Sequence, residues 1–303
     1  MELLYWLEKR RTGLMDDLML LITTLGEETV FMAVAIIIFW CVDKYKGYLI
    51  LAVGFFGTLA NQFMKMLFRV PRPWVMDSNF TIVEQAREAA SGYSFPSGHT
   101  QNAVGTFGSI AVFTRNRAVR IIAVMAAVLV GVSRMYLGVH TPLDVLVAAV
   151  MAVGLIFMLK PIVLDRRGKS MTWLLGIMVT LTALFVCYMT CYPFPADTDP
   201  LNLESGIENA YTLGGALLGL VVVYIVDEKW LQFPVDGVFW AQILKATLGL
   251  ALILGVKSGL KMPLNLVFGD MLGRCVRYFV LVLVAGILWP LTFRWFCKLG
   301  KKV

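Results

Sequence analysis

Charged residues are scarce in this chain of 303 residues. Asp, Glu, Lys and Arg together make up 16% of it, apolar residues make up 59%, and the mean hydropathy is +0.76. Typical soluble domains carry about 25% charged and about 45–50% apolar residues. The composition therefore excludes a disordered chain, a coiled coil and an ordinary water-soluble enzyme, and it favours a bundle of membrane helices, each about 20 residues long.

Cysteine and histidine are also few. The five cysteines form no CxxC pair and lie in or at the ends of apolar stretches, so we interpret them as buried small hydrophobic residues rather than disulfide or zinc ligands. They are Cys41, Cys187, Cys191, Cys275 and Cys297. The only two histidines are His99 and His140. The net charge of +7 fits either an anionic partner or the basic loops that orient a membrane protein, and it does not separate the two.

Nine apolar segments predict an all-α, polytopic transmembrane bundle of about nine spans. They cover residues 27–42, 47–68, 99–114, 118–137, 142–163, 171–191, 210–226, 239–256 and 273–293. Before them, the apolar residues Leu3, Leu4, Trp6 and Leu7 are followed by a charged cluster at 8–11. This pattern predicts an N-terminal amphipathic helix that lies in the membrane interface.

The charges of the connecting loops predict the orientation. Basic residues occur at 43–46, 115–120 and 165–169, with Arg166 and Arg167 in the last loop, and near the C-terminus at Lys298, Lys301 and Lys302. With nine spans these positions share one face, which the positive-inside rule makes cytoplasmic. The loop at 192–209 has no basic residue and fits the outer face. The basic cluster Lys9–Arg11 is a contrary signal, because it then lies outside.

Polar and charged residues gather at the ends of the spans between 65 and 144. They are Lys65, Arg72, Ser97, Gly98, His99, Arg134, His140 and Asp144. Such residues are costly at membrane depth, so they are candidates for function. Lys65, Arg72 and Arg134 are three cations suited to a phosphate group. Ser97 adds a hydroxyl, and Gly98 lets the backbone approach a ligand closely.

The histidines provide the reactive groups. His140 and Asp144 are four residues apart, so on a helix they share one face and the carboxylate can fix the imidazole tautomer of a nucleophile. His99 remains as a general acid for the leaving oxygen. These residues suffice for phosphoryl transfer through a phosphohistidine, and we predict no metal and no other cofactor. The loop carboxylates Glu84, Glu88, Asp197 and Asp199 are interpreted as solvated rather than metal-binding.

The spacing of these residues resembles the three-part signature of the type 2 phosphatidic acid phosphatase (PAP2) superfamily. The three parts are Lys65 with six residues before Arg72-Pro73, then Pro96-Ser97-Gly98-His99, then Ser133-Arg134 with five residues before His140 and three more before Asp144. The resemblance implies that His140 is the nucleophile, Asp144 its partner and His99 the acid. It also implies that Lys65, Arg72, Ser97, Gly98 and Arg134 hold the phosphate. We leave Ser133 outside the site as a helix-packing hydroxyl.

The resemblance further implies a helical core whose motif loops meet on the extracytoplasmic face. We expect residues 1–170 to form this PAP2-like catalytic core and residues 171–303 to add transmembrane helices of unknown role. The expected activity is hydrolysis of a phosphomonoester or diphosphate, most simply that of a lipid. Haloperoxidases of the superfamily hold vanadate in a similar pocket, but nine membrane spans argue against that chemistry.

The sequence leaves several alternatives open. The phosphoryl group could pass to another acceptor, the substrate could be a sugar phosphate, or a transporter or scaffold could bind phosphate without cleaving it. Phosphatidic acid, phosphatidylglycerol phosphate, a polyprenyl diphosphate, sphingosine phosphate and a sugar phosphate are all compatible substrates. The expected partners are this substrate and membrane lipids, with no nucleic acid, and the oligomeric state is open.

Overall fold

The computed structural model describes residues 1–90, 92–165 and 169–299, and these residues form helices and loops without a strand. The chain divides into two compact units. The first contains residues 1–35, 49–164 and 194–203, and the second contains 36–48, 165–193 and 204–303. Of the basic residues used above to predict orientation, Arg166, Arg167, Lys301 and Lys302 lie outside the described residues.

The first unit is built from nine helices among its described residues. They are α1 (Glu2–Glu8), α2 (Gly13–Thr24), α3 (Glu28–Cys41), α4 (Lys44–Phe68), α5 (Pro73–Met76), α6 (Gly98–Ala103), α7 (Ser109–Phe113), α8 (Arg117–Tyr136) and α9 (Pro142–Leu164). The last residues of α3 and the first of α4 belong to the second unit. A π-helical turn, Val104–Gly108, joins α6 to α7 without interrupting the helical path.

The second unit contains the remaining long helices. They are α10 (Lys169–Cys191), α11 (Pro200–Val226), which begins in the first unit, α12 (Phe239–Gly259), α13 (Lys261–Leu283) and the short α14 (Phe293–Phe296). The helix α13 bends at Gly269, whose φ of 76° lies in the left-handed region that glycine adopts without strain. Lys44 of this unit pairs with Asp227 at 2.6 Å.

The chain is a multi-pass helical membrane protein, and all nine predicted apolar segments are helical. Among the described residues, seven helical stretches are long and apolar enough to cross a membrane, or eight when α2 and α3, bent by 47°, count as one span. The stretch from α6 through α7 is the segment left out of this count. It has only 16 residues, fewer than the roughly 20 that a span needs.

The N-terminal helix α1 buries one apolar residue against the protein and exposes two others. Leu4 is fully buried, whereas Leu3 and Trp6 are 45% and 51% exposed. Arg10 stacks on the Trp6 ring, with its guanidinium carbon 3.6 Å from the ring centroid. One face of α1 therefore packs on the protein, and the other presents apolar side chains suited to the membrane interface.

Arg11 belongs to the basic cluster that contradicts the predicted orientation. Its guanidinium is hydrogen-bonded within the first unit. Its Nε donates to the carbonyl of Tyr136 at 3.0 Å, and its Nη1 donates to the carbonyl of Thr81 at 2.8 Å. This cation therefore ties the N-terminal region to the last residue of α8 and to the loop that follows α5.

Glycines bring the site-bearing helices together. A Cβ atom on Gly57 of α4 would lie 1.5 Å from the side chain of Gln101 in α6, and one on Gly26 would lie 2.7 Å from the backbone oxygen of His99. Small residues allow such close helix contacts in membranes. The N-terminal end of α6, which carries His99, is thereby fixed against α4 and against the end of α2.

Candidate active site

His140 and Asp144 form a buried pair. His140 lies in the connection between α8 and α9, and Asp144 lies in the first turn of α9. The imidazole Nδ1 is 3.4 Å from Oδ2 of the carboxylate, and each side chain is only 2% exposed. The two predicted partners are therefore adjacent, at a distance that a small rotation converts into a hydrogen bond.

The start of α9 fixes the Asp144 carboxylate. Its Oδ2 accepts from the backbone N–H of Thr141 at 2.7 Å, and the Thr141 hydroxyl accepts from the N–H of Asp144 at 3.3 Å. This reciprocal arrangement is a capping box, written in the sequence as Thr-Pro-Leu-Asp. Asp144 thus caps the helix and contacts His140 at the same time, so the signal that begins the helix also orients the candidate catalytic carboxylate.

Ser94 is a site residue that the sequence interpretation missed. It is fully buried, its Oγ donates to Oδ2 of Asp144 at 2.5 Å, and the same oxygen is 3.4 Å from Nδ1 of His140. Ser94 therefore bridges both members of the pair. A possible signal was its place three residues before Ser97 in the same loop, but a lone loop hydroxyl has no periodicity that marks it.

Arg72 contacts the other nitrogen of the His140 ring. Its Nη1 is 2.9 Å from Nε2, and it also donates to the carbonyl of Val139 at 2.9 Å. A guanidinium can only donate, so the close ring nitrogen must carry the lone pair. His140 therefore holds its proton on Nδ1, facing Asp144 and Ser94, and its lone pair on Nε2, facing Arg72.

Backbone carbonyls of one loop hold two of the predicted phosphate-binding cations. Lys65 Nζ donates to the carbonyl of Tyr93 at 2.7 Å, and Arg72 Nε donates to the carbonyl of Gly92 at 2.9 Å. Ser94 is the next residue of the same loop. Residues 92–94, hereafter the 92–94 loop, thus contact Arg72, Lys65 and Asp144 in turn.

Arg134 and His99 have polar atoms available for a ligand. Arg134 is fully buried, and its Nη1 donates to the Thr23 hydroxyl at 2.9 Å. Its Nε and Nη2 and the Nε2 of His99 are buried without a hydrogen-bond partner among the described residues. Buried donors of this kind are normally satisfied, so these atoms mark a place where an anion would bind. The positive charges of Arg134, Arg72 and Lys65 all interact electrostatically with the His99 ring.

Ser97 and Gly98 form the start of α6 beside this place. The Ser97 hydroxyl caps the helix by accepting from the N–H and the hydroxyl of Thr100, at 3.3 and 2.9 Å. A Cβ atom on Gly98 would have only Asn61 Oδ1 within 4.0 Å among the described residues. The backbone at Gly98 is therefore approachable, as predicted, whereas Ser97 holds the helix start and has its own proton left to donate. Ser133, left outside the site, donates to Val130 of its own helix at 2.7 Å.

The surroundings of His140 favour its neutral form. Burial lowers the pKa of His140 well below its ordinary value of 6.5, and the positive charges of Arg72, Arg134 and Lys65 lower it further. An imidazole without a proton on Nε2 can act as a nucleophile. The same cations that would bind a phosphate thus keep the reactive nitrogen unprotonated.

Comparison with known proteins places the site in a family. Residues 45–168 match the PAP2 superfamily. The chain is 33% identical over 168 residues to phosphatidylglycerophosphatase B of Bacillus subtilis (strain 168), a match that covers 51% of this chain and 74% of that protein. It belongs to the PAP2 superfamily. All eight predicted site residues of this PAP2 protein lie inside the matched stretch.

Further matches extend the comparison. The chain is 36% identical over 100 residues to undecaprenyl-diphosphatase BcrC of Bacillus subtilis (strain 168), covering 33% of this chain and 49%, about half, of that relative. Residues 211–302 match a second description, PAP2 superfamily phosphatase, transmembrane extension. No solved structure matches the chain. Residues 169–210 lie between the two family matches.

Proposed function

We propose that this PAP2 protein is a membrane phosphatase that hydrolyses the phosphomonoester or diphosphate of a lipid through a phosphohistidine. The observation that carries the proposal is the position of the His140 ring. Its Nδ1 is 3.4 Å from Asp144 Oδ2, and its Nε2 is 2.9 Å from the guanidinium of Arg72. This arrangement orients a nucleophilic lone pair toward a phosphate-binding cation.

In the first step Nε2 of His140 attacks phosphorus. The bond from phosphorus to the leaving oxygen breaks, and His99 donates a proton to that oxygen, which belongs to the lipid alcohol in a monoester and to the lipid monophosphate in a diphosphate. Asp144 and Ser94 stabilise the imidazolium that forms, because both lie next to Nδ1. In resting geometry Arg72 donates to the Nε2 lone pair, so the phosphate oxygens must take over this donor before the attack.

In the second step water attacks the phosphohistidine. His99, now without its proton, accepts one from the water, the bond from phosphorus to Nε2 breaks, and inorganic phosphate leaves. His140 and His99 then return to their starting protonation. Two histidines are enough for this cycle because His99 acts first as acid and then as base.

The cations supply electrostatic stabilisation of the transferred group. In phosphoryl transfer the charge is spread over the three equatorial oxygens, and positioned donors provide most of the catalysis. Arg134 offers Nε and Nη2, which have no partner among the described residues. Lys65 and Arg72 add two charges that the 92–94 loop positions.

The names of the relatives support a phosphorylated lipid as substrate, since one is an undecaprenyl-diphosphatase and the other a phosphatidylglycerophosphatase. The acidic loop at 192–209 and the basic loops at the opposite helix ends support an extracytoplasmic site. The proposed protein therefore acts on lipid phosphates at the outer face of the membrane.

Purified protein in detergent tests this function. Release of inorganic phosphate is measured with phosphatidic acid, phosphatidylglycerol phosphate, a polyprenyl diphosphate, sphingosine phosphate and a sugar phosphate, with EDTA present throughout. We expect release from at least one lipid and none from the His140→Ala variant. Release that persists in this variant, or no release from any of the lipids, would overturn the proposal. For the face, sealed vesicles of known orientation should hydrolyse an added impermeant short-chain substrate only when the 192–209 loop faces outward.

A further inference from the structure

The segment Phe194–Leu203 of the first unit contacts the 92–94 loop, although it lies outside both family matches. Asn202 makes the central contact, because its Oδ1 accepts from the backbone N–H of Tyr93 at 2.7 Å. Asn202 is only 6% exposed. A side chain at position 92 would collide with it, since a Cβ atom on Gly92 would lie 2.2 Å from Asn202 Oδ1.

Asp199 fixes the orientation of the Asn202 amide. Asn202 Nδ2 donates to Asp199 Oδ2 at 2.9 Å, and the backbone N–H of Asp199 donates to the Tyr93 hydroxyl at 3.1 Å. An ionised carboxylate only accepts hydrogen bonds, so the NH₂ group must face Asp199. The amide oxygen is then the atom that faces the Tyr93 N–H. The segment thus forms hydrogen bonds with both the backbone and the hydroxyl of Tyr93.

Tyr93 and its two neighbours in the 92–94 loop each contact a predicted site residue. The carbonyl of Tyr93 accepts from Lys65, the carbonyl of Gly92 accepts from Arg72, and the hydroxyl of Ser94 donates to Asp144. The peptide between Gly92 and Tyr93 carries both the Gly92 carbonyl and the N–H bound by Asn202. Because a peptide unit is planar, fixing its N–H also fixes the direction of its carbonyl toward Arg72.

We propose that Asn202 is a positioning residue for the phosphatase reaction, acting through the 92–94 loop on Arg72 and Lys65. This proposal rests on the proposed function. Asn202 touches neither substrate nor reacting atoms. Its loss lets the loop carbonyls turn, so that the two cations no longer meet the phosphate oxygens at the required place. Misplacement of about 1 Å can reduce a rate by about 100-fold.

The test compares four variants with the wild type. Asn202→Ala removes both hydrogen bonds. Asn202→Asp keeps an acceptor for Tyr93 N–H but places two carboxylates together, and the double variant Asn202→Asp with Asp199→Asn restores one donor and one acceptor in exchanged positions. Asn209→Ala, on the same helix α11, is the matched control. We measure kcat and KM for a lipid phosphate and the inhibition constant of inorganic phosphate.

We expect Asn202→Ala and Asn202→Asp to lower kcat/KM about 10- to 100-fold and to weaken phosphate inhibition. The double variant should recover most of the loss, and Asn209→Ala should match the wild type. A purely structural role would reduce the amount of folded protein without changing the phosphate inhibition constant of what remains. Wild-type values for kcat/KM and phosphate inhibition in folded Asn202→Ala would overturn the inference, as would a double variant no better than Asn202→Asp.

A double-mutant cycle with Lys65 tests whether Asn202 acts through this cation. If Asn202 acts partly through Lys65, the Asn202→Ala loss should be smaller in a Lys65→Met background than in the wild type. Equal losses in the two backgrounds would contradict that route. An inactive wild type would instead reject the proposed function itself, so the two failures are distinguishable.

Discussion

Nη1 of Arg72 lies 2.9 Å from Nε2 of His140, so the candidate nucleophile is hydrogen-bonded by the cation that would bind its substrate. This contact sets the tautomer of His140 and keeps its lone pair occupied in resting protein. A phosphate that takes over the Arg72 donor releases the lone pair at the same moment. In the proposed mechanism, substrate binding and activation of the nucleophile would thereby be coupled through one guanidinium.

His140→Ala should abolish turnover, with a loss of at least about 10³-fold in kcat, because no other imidazole can take its place. Wild-type protein quenched during turnover of a ³²P-labelled lipid should carry label that is stable in alkali and lost in acid, as expected for phosphohistidine. His140→Ala should carry none. Acid-stable label in wild-type protein would point to a different nucleophile.

His99→Ala should lower the rate of hydrolysis most for substrates whose leaving oxygen needs a proton. A lipid alkoxide is a poor leaving group, whereas an activated aryl oxygen leaves without protonation. We expect a loss of about 100-fold or more with the lipid phosphate and a much smaller loss with a soluble aryl phosphate. Comparable losses for the two substrates would remove His99 from the role of acid.

Ser94→Ala should lower kcat by about 10- to 100-fold, because a hydrogen bond to a carboxylate contributes roughly 1.5–3 kcal/mol. The matched control is Ser109→Ala, which removes another fully buried hydroxyl, one that donates to Gly105 of its own helical stretch. The kcat values of the two variants, measured by steady-state kinetics, are compared with that of the wild type. Ser94 has no part in positioning Asp144 if both variants behave alike.

Arg134→Met should make the phosphate-free protein more stable while removing phosphate binding. The guanidinium is fully buried, and its unpartnered donors cost about 1–3 kcal/mol. Thermal unfolding in detergent should show a higher Tm than wild type without phosphate and no further rise when phosphate is added. Arg120→Met is the control, because both Nε and Nη2 of Arg120 donate to carbonyls, and it should lower Tm. A lower Tm for Arg134→Met would contradict this account.

The pH profile should report the lowered pKa of His140. Because burial and three cations disfavour the imidazolium, the acid limb of kcat/KM should fall well below pH 6.5. Lys65→Met removes one of these cations, so the pKa of His140 should rise and the limb should move to higher pH, measured on residual activity with the same substrate. A limb that stays in place or moves to lower pH would show that Lys65 does not act on His140.

The same pKa has a consequence for stability. The unfolded chain binds the histidine proton more tightly than the folded protein does, so the free energy of unfolding should decrease as the pH falls below about 6.5. His140→Ala lacks this contribution. Its unfolding midpoint should therefore depend less on pH over that range than the midpoint of the wild type.

Local sequence signals predicted much of this arrangement. Apolar runs located the helical segments. The four-residue offset of His140 and Asp144 predicted their proximity through a shared helix face, but His140 lies before α9 and the two meet because Asp144 is in the first turn of that helix. The Thr-Pro-Leu-Asp capping box is also local, because its hydrogen bonds join residues three apart. Span number was less certain, since the helical stretch with the π turn has 16 residues, as many as its apolar segment 99–114 and fewer than the roughly 20 that a span needs.

Contacts between distant loop residues could not be predicted in this way. Asn202 and Tyr93 are 109 positions apart, and Arg11 and Tyr136 are 125 apart. A loop amide or hydroxyl has no periodicity, and its partner is decided by how the helices pack. Ser94 and Asn202 therefore emerge only from the three-dimensional structure. Ser94 contacts the motif residue Asp144, whereas Asn202 contacts the 92–94 loop rather than a motif residue.

If the short helical stretch from Gly98 to Phe113 crosses the membrane, as the apolar segment 99–114 predicts, it would couple the candidate site to the thickness of the lipid layer. Sixteen residues rise about 24 Å, roughly 6 Å less than an average hydrocarbon core. His99 is in the first turn of this stretch, so the surrounding leaflet has to thin, or the histidine sinks below the headgroups. Longer acyl chains would place His99 deeper beneath the plane of the lipid phosphates. Hydrolysis would then be slower in thicker bilayers.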